Sequence, residues 1–275
     1  MILLHLLLAA LYGYAVWALW PATATAAPAG MTTPAMPRWR ETAALVVPAA
    51  LLLHAWVVSA DVAQPKGLDL SFANALSVVA GLTAITAWAS GLMRTLPLVA
   101  AVVLPITGLF SLLPMIGERP HPFAYAEAPW AAAHVAVALL AYSLLIVAAV
   151  QALALMWLEK RLHRGVADAT TPDMPPLLTL ERFLFRLVGA GFALLTLTVL
   201  SGIFFSEAIF GKPLTFNHKT VFSILSWFVF AGLLLGRRAY GWRGRVALRW
   251  ILTGTTLLFF GYLGSKFVLE VLLHR

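Results

Sequence analysis

The chain has 275 residues, of which 61% are hydrophobic and only 11% charged. A soluble globule of this size needs more polar surface, so the composition excludes one and predicts an integral membrane protein. The net charge of +8 comes largely from basic loops, which indicates membrane topology and contact with anionic lipid rather than nucleic acid binding. The sequence has no cysteine, which excludes disulfides, thiol nucleophiles and thiolate metal sites.

Eight apolar stretches follow one another along the chain, each about long enough to cross ~30 Å of hydrocarbon as a helix. They are continuous and rich in leucine and alanine, whereas barrel strands would alternate over ~10 residues, so only a helical bundle fits. The sequence predicts an all-α integral membrane protein of about eight transmembrane helices, forming a single polytopic domain over residues 1–275. The predicted spans are 2–20, 42–60, 73–93, 96–116, 131–157, 187–209, 220–236 and 248–272.

The first apolar stretch is followed by the small residues "ATATAAPAG", which resemble a signal-peptide cleavage site. A signal peptide needs basic residues before its apolar region, and here none precedes it, while Arg38 and Arg40 follow it. We therefore interpret the stretch as a transmembrane helix and residues 21–37 as a cytoplasmic linker. The linker before the sixth span is expected to include a separate interfacial helix from about Thr179.

Lys and Arg residues concentrate in alternate loops, and the positive-inside rule assigns such loops to the cytoplasm. Both termini are therefore predicted to lie outside. Thirteen of the nineteen basic residues fall on the predicted cytoplasmic side, namely Arg38, Arg40, Arg94, Lys160, Arg161, Arg164, Arg182, Arg186, Arg237, Arg238, Arg243, Arg245 and Arg249. The other six are Lys66, Arg119, Lys212, Lys219, Lys266 and Arg275.

Histidine is the remaining residue type that could bind a metal or cofactor, and six of the seven histidines fall on or near the predicted outer side. From the helical rise, His54 lies about 9 Å and His134 about 6 Å inside the membrane, and His218 opens the seventh span. Imidazoles at similar depth can converge on a metal centre, and without cysteine a bis-histidine haem is the natural candidate. The alternative is that each histidine only makes an interhelical hydrogen bond. His5, His121, His163 and His274, which are terminal or loop residues, are expected to be structural.

Other side chains near these histidines allow both a functional and a structural interpretation. Lys219, like Lys212, would pair with haem propionates at the outer interface, or would merely anchor the start of the helix. Tyr142 lies two turns beyond His134 on roughly the same face and would line a pocket or bond within the bundle. Gly232 and Gly236 form a G-x-x-x-G step that predicts close packing against a neighbouring helix.

Six blocks of the sequence, in order, resemble the cytochrome c assembly family, and more narrowly its CcsA/HemX-like branch of eight-helix proteins of the bacterial inner membrane. The resemblance extends over about residues 42–272. The blocks are "GLDLSFANALSVVAG", "HVAVALLAYSLL", "DMPPLLTLERFLFR", "HKTVFSILSWFVF", "GWRGRVA" and "FFGYLGSKFVLEV".

The resemblance implies a multi-pass protein that handles haem during cytochrome c maturation, delivering it to the outer face of the inner membrane. His134 matches the histidine of the family's H-x7-Y helix, an outer haem ligand, and His54 matches a histidine assigned to haem within the membrane. His218 and Lys219 lie where the family presents haem. The implied cofactor is haem b, and the implied partners are the lipid bilayer, haem, and apocytochrome c or another membrane protein.

The sequence also departs from the family pattern. The tryptophan-rich segment is replaced by "FFSEAIFGKPLTFNHKTV", and two further histidines expected near the ends of the seventh and eighth spans are absent. These departures favour an alternative function, a haem-free accessory or regulatory membrane subunit that partners a transporter or a haem biosynthesis enzyme. No carboxylate pair, catalytic triad or phosphate loop is present, so an enzyme acting on its own is not expected.

Overall fold

A computed structural model of the chain describes residues 1–19, 38–64, 67–116, 122–123, 129–163, 176–204, 218–264 and 267. The helices are α1 (Ile2–Leu19), α2 (Arg38–Val62), α3 (Phe72–Ala89), α4 (Leu92–Thr95), α5 (Pro97–Phe110), α6 (Leu113–Ile116), α7 (Pro129–His163), α8 (Leu177–Phe204), α9 (His218–Tyr240) and α10 (Gly244–Phe259), followed by a π-helical turn, Phe260–Gly264. The strands are β1 (Ala63–Gln64), β2 (Gly67–Asp69) and β3 (Pro122–Phe123).

Seven helices in the described part of the chain are long and apolar enough to cross a membrane, which confirms the predicted all-α membrane fold. Of the predicted eighth span, 248–272, the structure describes the part that lies in the 16-residue α10, the π-helical turn and residue 267. This span therefore stays a prediction. The change from α-helical to π-helical geometry coincides with Gly261 and Gly264, which are poor helix formers. Gly261 also lies close to Phe222, whose Cβ would be 3.1 Å from an added Cβ at this position.

The sixth predicted span also begins earlier than expected. Instead of a separate interfacial helix from Thr179, α8 runs without a break from Leu177 to Phe204. Its first turns are fixed by packing and hydrogen bonding, because Leu180 and Leu184 are buried and the Glu181 carboxylate accepts a hydrogen bond from the Gly244 backbone N–H at 3.2 Å. The helix therefore gains tertiary contacts that an isolated interfacial helix would lack.

Helix α7 occupies the centre of the bundle and contacts α3, α5, α8 and α10, with its most extensive interface on α8. Small side chains such as Ala141, Ala148 and Ala152 are buried along it and allow the close helix approach on which membrane packing depends. The buried Gln151 amide donates to the Leu180 carbonyl at 2.8 Å, which ties α7 to α8. Helices α1, α2, α3 and α5 pack against one another, with α3 and α5 in contact with α7, and α9 packs against α8 and α10.

A short antiparallel sheet, ordered β1-β2-β3, connects the end of α2 to the start of α3. Leu68 of β2 pairs with Ala63 and with Phe123. A polar turn then starts α3, where the Ser71 hydroxyl caps the helix by accepting from the Asn74 backbone N–H. The Asp69 carboxylate accepts from the Ser71 N–H at 3.0 Å. The family block "GLDLSFAN" thus forms a strand and a helix cap.

Candidate functional site

His134 lies near the start of α7 and faces α8. Its Nδ1 is 2.7 Å from the Ser201 hydroxyl oxygen, and Ser201 donates its hydroxyl hydrogen to the Thr198 carbonyl at 3.1 Å. Because that hydroxyl has one hydrogen and it is directed at Thr198, Ser201 accepts from the His134 Nδ1–H. This arrangement favours the tautomer with the lone pair on Nε2. Gly202 lies beside the ring, with an added Cβ only 3.6 Å from the His134 Cε1.

Lys219, Tyr262 and Tyr142 form a cluster beside His134. The charge of Lys219 acts on His134, and its Nζ lies 5.3 Å from the centre of the Tyr262 ring, in cation–π contact. Tyr262 in turn contacts Tyr142, with ring centres 5.7 Å apart. Tyr142 is buried, and its hydroxyl lies near Ser223 of α9. Two of the five predicted site residues, Lys219 and Tyr142, therefore both contact Tyr262, and the charge of Lys219 extends to a third, His134.

His54 belongs to a different group, between α1, α2 and α3. Its Nδ1 bonds with the Tyr12 hydroxyl at 3.0 Å and its Nε2 with the Ser77 hydroxyl at 3.1 Å, and the side chain is 1% exposed. A neutral imidazole has one donor and one acceptor nitrogen, so both are used. Gly81 packs against the ring, since an added Cβ there would lie 3.3 Å from it. One of the two hydrogen bonds must break before His54 can bind iron.

His5 is buried and contacts two other helices, as a histidine with a structural role does. Its Nδ1 donates to the Ser111 carbonyl at 2.7 Å, at the end of α5, and its Nε2 lies 3.2 Å from the Asp61 carboxylate. This pair joins α1 to α2.

His218 opens α9 as predicted, but its side chain is exposed and makes no hydrogen bond or ring contact with other described residues. The shared cavity predicted for His134 with His54 or His218 stays a prediction. The contacts of His134 and His54 given by the structure involve different helices and have no residue in common. Lys212, His121 and His274 lie outside the described residues.

The side chains of this region could supply one axial ligand to a haem iron, but they do not form a metal centre with several protein ligands. Within the described ranges, no group of three or more His, Asp or Glu side chains could hold a metal ion. His134 meets the usual requirement for a metal-binding histidine, because one ring nitrogen is oriented by a hydrogen bond and the other carries the lone pair. A haem ligated by His134 is compatible with these residues, whereas His54 in its observed bonding is not a ligand.

Several contributing residues escaped prediction from the sequence. Ser201 and Ser223 are small polar residues in apolar helices, and nothing in their spacing identifies the partners they meet. Tyr262 lies within the block "FFGYLGSKFVLEV", so the resemblance marked its segment but not its side chain. The His5–Asp61 pair joins residues 56 positions apart. Its sequence signal is the carboxylate at the end of an apolar span, which needs a partner.

Comparisons with known proteins agree with this fold. The family model described as cytochrome C assembly protein matches residues 42–273. The inner membrane protein YpjD of Escherichia coli (strain K12) is 32% identical over 85% of this chain and 89% of its own length. An uncharacterized 28.8 kDa protein of Azospirillum brasilense is 35% identical over 69% of this chain and 70% of its own. The cytochrome c biogenesis protein CcsA of Gloeobacter violaceus is 31% identical over 34% of this chain and 27% of its own. No solved structure matches the chain.

The predicted multi-pass localisation in the bacterial inner membrane is confirmed by the seven spanning helices and by the similarity to a relative named as an inner membrane protein. The family match extends over most of the chain, and the similarity to YpjD extends over most of both proteins. The chain belongs to the cytochrome c assembly protein family.

Proposed function

We propose that this protein takes part in cytochrome c maturation by handling haem near the outer face of the inner membrane. Family membership and the similarity to CcsA proteins support a role in cytochrome c biogenesis. The observation that carries the haem proposal is the hydrogen-bonded pair of His134 and Ser201, because it directs the Nε2 lone pair of His134 toward a ligand role.

The neighbouring residues supply the rest of the proposed site. Haem brings an iron that accepts a nitrogen ligand and two carboxylates that seek cationic partners. His134 of α7 offers the nitrogen, and the exposed Lys219 of α9 offers an ammonium group. Tyr262 and Tyr142 hold the helix pair together through ring contact and keep Lys219 beside the site.

The test is the visible absorbance of protein purified after haem-supplemented expression. Wild-type protein should show a Soret band, and H134A should lose the band or much of its intensity, because the axial ligand is gone. S201A should keep the ligand but lose its orientation, which typically weakens metal binding by about 10–100-fold. K219A should lower retention slightly without a change in ligation, since an exposed charge contact contributes about 1 kcal/mol or less.

His163 provides the matched control. It lies on the same helix as His134, at the opposite end, and its Nδ1 bonds only locally, to the Glu159 carbonyl at 2.8 Å. H163A should leave the spectrum unchanged. A wild-type protein without a Soret band would overturn the haem proposal, as would an H134A spectrum identical to that of the wild type.

A haem-free accessory or regulatory subunit is the second candidate function. The observation that favours it is the bonding of His54, whose two ring nitrogens are both engaged within the bundle. Under this proposal the histidines stabilise helix packing, and the protein acts by binding another membrane protein, such as a transporter or a haem biosynthesis enzyme. Co-purification of a defined partner with haem-free wild-type protein would support it.

A further inference from the structure

An open groove of about 600 Å³ lies between α8 and α9, apart from the histidines. Its walls are apolar and include Phe192, Trp227, Leu234 and Leu235. Trp227 is fixed in place, because its indole N–H donates to the Thr196 hydroxyl at 2.9 Å. At least one wall of the groove is therefore held in a fixed position by a hydrogen bond between α8 and α9.

Two arginines, Arg237 and Arg238, close one end of the groove. The Arg237 guanidinium carbon lies 3.3 Å above the Phe185 ring centre, which fixes the group in one orientation. Its Nη1 is buried and has no hydrogen-bond partner among the described residues. Glu181, the acidic group whose charge acts on Arg237, makes its own hydrogen bond to Gly244. A buried cationic donor at the membrane interface is costly unless an acceptor meets it, and a phosphate can accept two parallel hydrogen bonds from one guanidinium.

The groove also has the dimensions of one membrane leaflet. Trp227 and Arg238 are eleven residues apart on one helix, which corresponds to roughly 16 Å, or about half of the ~30 Å hydrocarbon core. The arginine end is the end that the positive-inside rule assigns to the cytoplasm. The groove is thus apolar, about half a bilayer long, and has cations at its interfacial end. These features match an acyl chain joined to an anionic headgroup.

We propose that this groove binds one anionic phospholipid of the cytoplasmic leaflet. Arg237 and Arg238 bind the headgroup phosphate, and an acyl chain lies along Phe192, Trp227 and Leu234. The described residues that line the groove include no histidine, methionine or tyrosine, so they offer haem iron no side-chain ligand, and a lipid is the better occupant. The lipid site is independent of the proposed haem site.

Native mass spectrometry tests this proposal. Wild-type protein, expressed without added haem, is released from mixed micelles that contain equal amounts of dioleoylphosphatidylglycerol and dioleoylphosphatidylcholine. The wild type should retain one phosphatidylglycerol in preference to phosphatidylcholine. R238Q and R237Q should each lower that retention roughly fivefold, as expected for about 1 kcal/mol per basic residue near a lipid phosphate. R238Q is the more informative variant, because Arg238 is exposed, whereas Arg237 also packs on Phe185.

Two further variants separate the groove from general charge attraction. R245Q/R249Q changes two exposed arginines on the same side of the membrane that do not line the groove, and it should retain lipid as the wild type does. A231W fills the groove without changing its charge and should abolish retention. Equal loss in R238Q and R245Q/R249Q would overturn the proposal, as would full retention in A231W or bound haem in place of lipid.

Discussion

Replacement of His54 by leucine tests whether this histidine holds helices together or binds iron. In the structure, His54 links α1 to α3 through hydrogen bonds to Tyr12 and Ser77. Leucine fills much of the space of the ring but bonds with neither hydroxyl. We expect H54L to lower the free energy of unfolding and to leave a haem spectrum that depends on His134 unchanged.

The magnitude follows from the groups that lose partners. Interhelical hydrogen bonds in membrane proteins average about 0.6 kcal/mol, so two contribute about 1 kcal/mol. The buried Tyr12 hydroxyl, left without an acceptor, adds about 1–3 kcal/mol. The Ser77 hydroxyl adds little, because serine in a helix can bond back to a carbonyl of its own helix. The total expected loss is about 2–4 kcal/mol.

Unfolding in mixed detergent micelles, followed by tryptophan fluorescence, measures this loss. The double variant Y12F/H54L supplies the internal control, because it removes both members of the Tyr12–His54 pair and so leaves no tyrosine hydroxyl without a partner. Its loss should be smaller than the sum of the Y12F and H54L losses by about 1–2 kcal/mol, as for residues in direct contact. Additive losses would refute the described contact. An H54L protein of unchanged stability but altered Soret band would identify His54 as an iron ligand and refute the packing role.

Two further predictions concern topology and packing. Reporter fusions after Arg164 and after Arg245 should report the cytoplasm, and a fusion at the C-terminus should report the outside. An inside C-terminus would mean that the chain crosses the membrane an odd number of times from an N-terminus outside. G191A should lower the free energy of unfolding by about 1–3 kcal/mol, because the added Cβ would lie 2.8 Å from Leu145. G189A, with nothing within 4 Å of its added Cβ, should cause no loss, and equal losses would contradict the packing explanation.

The helix pair α9 and α10 shows how much of the packing between helices a sequence pattern can predict. The step from Gly232 to Gly236 predicted close packing, and the structure has Trp250 and Trp242 against these two glycines. The spacing indicated a smooth helix face but could not identify the aromatic rings that fill it. Those rings come from α10 and the segment before it, and they meet α9 only because the chain reverses at Gly241, whose φ is 66°.

The histidines of the candidate site also separate what the sequence can predict from what it cannot. Their depth along each helix follows from residue counting, and His134 was identified from its motif with Tyr142. The rotation of each helix about its axis is not encoded in depth, and it directs His54 toward Tyr12 and His134 toward Ser201. Residues at equal depth can therefore belong to separate groups of contacts.

The sequence by itself determined the membrane class, the helical fold and the family, because each depends on composition or on short-range pattern. Apolar length fixes a span, since the bilayer requires about 20 helical residues whatever the partners are. The tertiary structure alone decided which polar side chains meet, including the buried His5–Asp61 pair and the Lys219–Tyr262 contact. The reason is that a membrane helix satisfies its backbone internally, so its partners are selected by side-chain packing between surfaces distant in sequence.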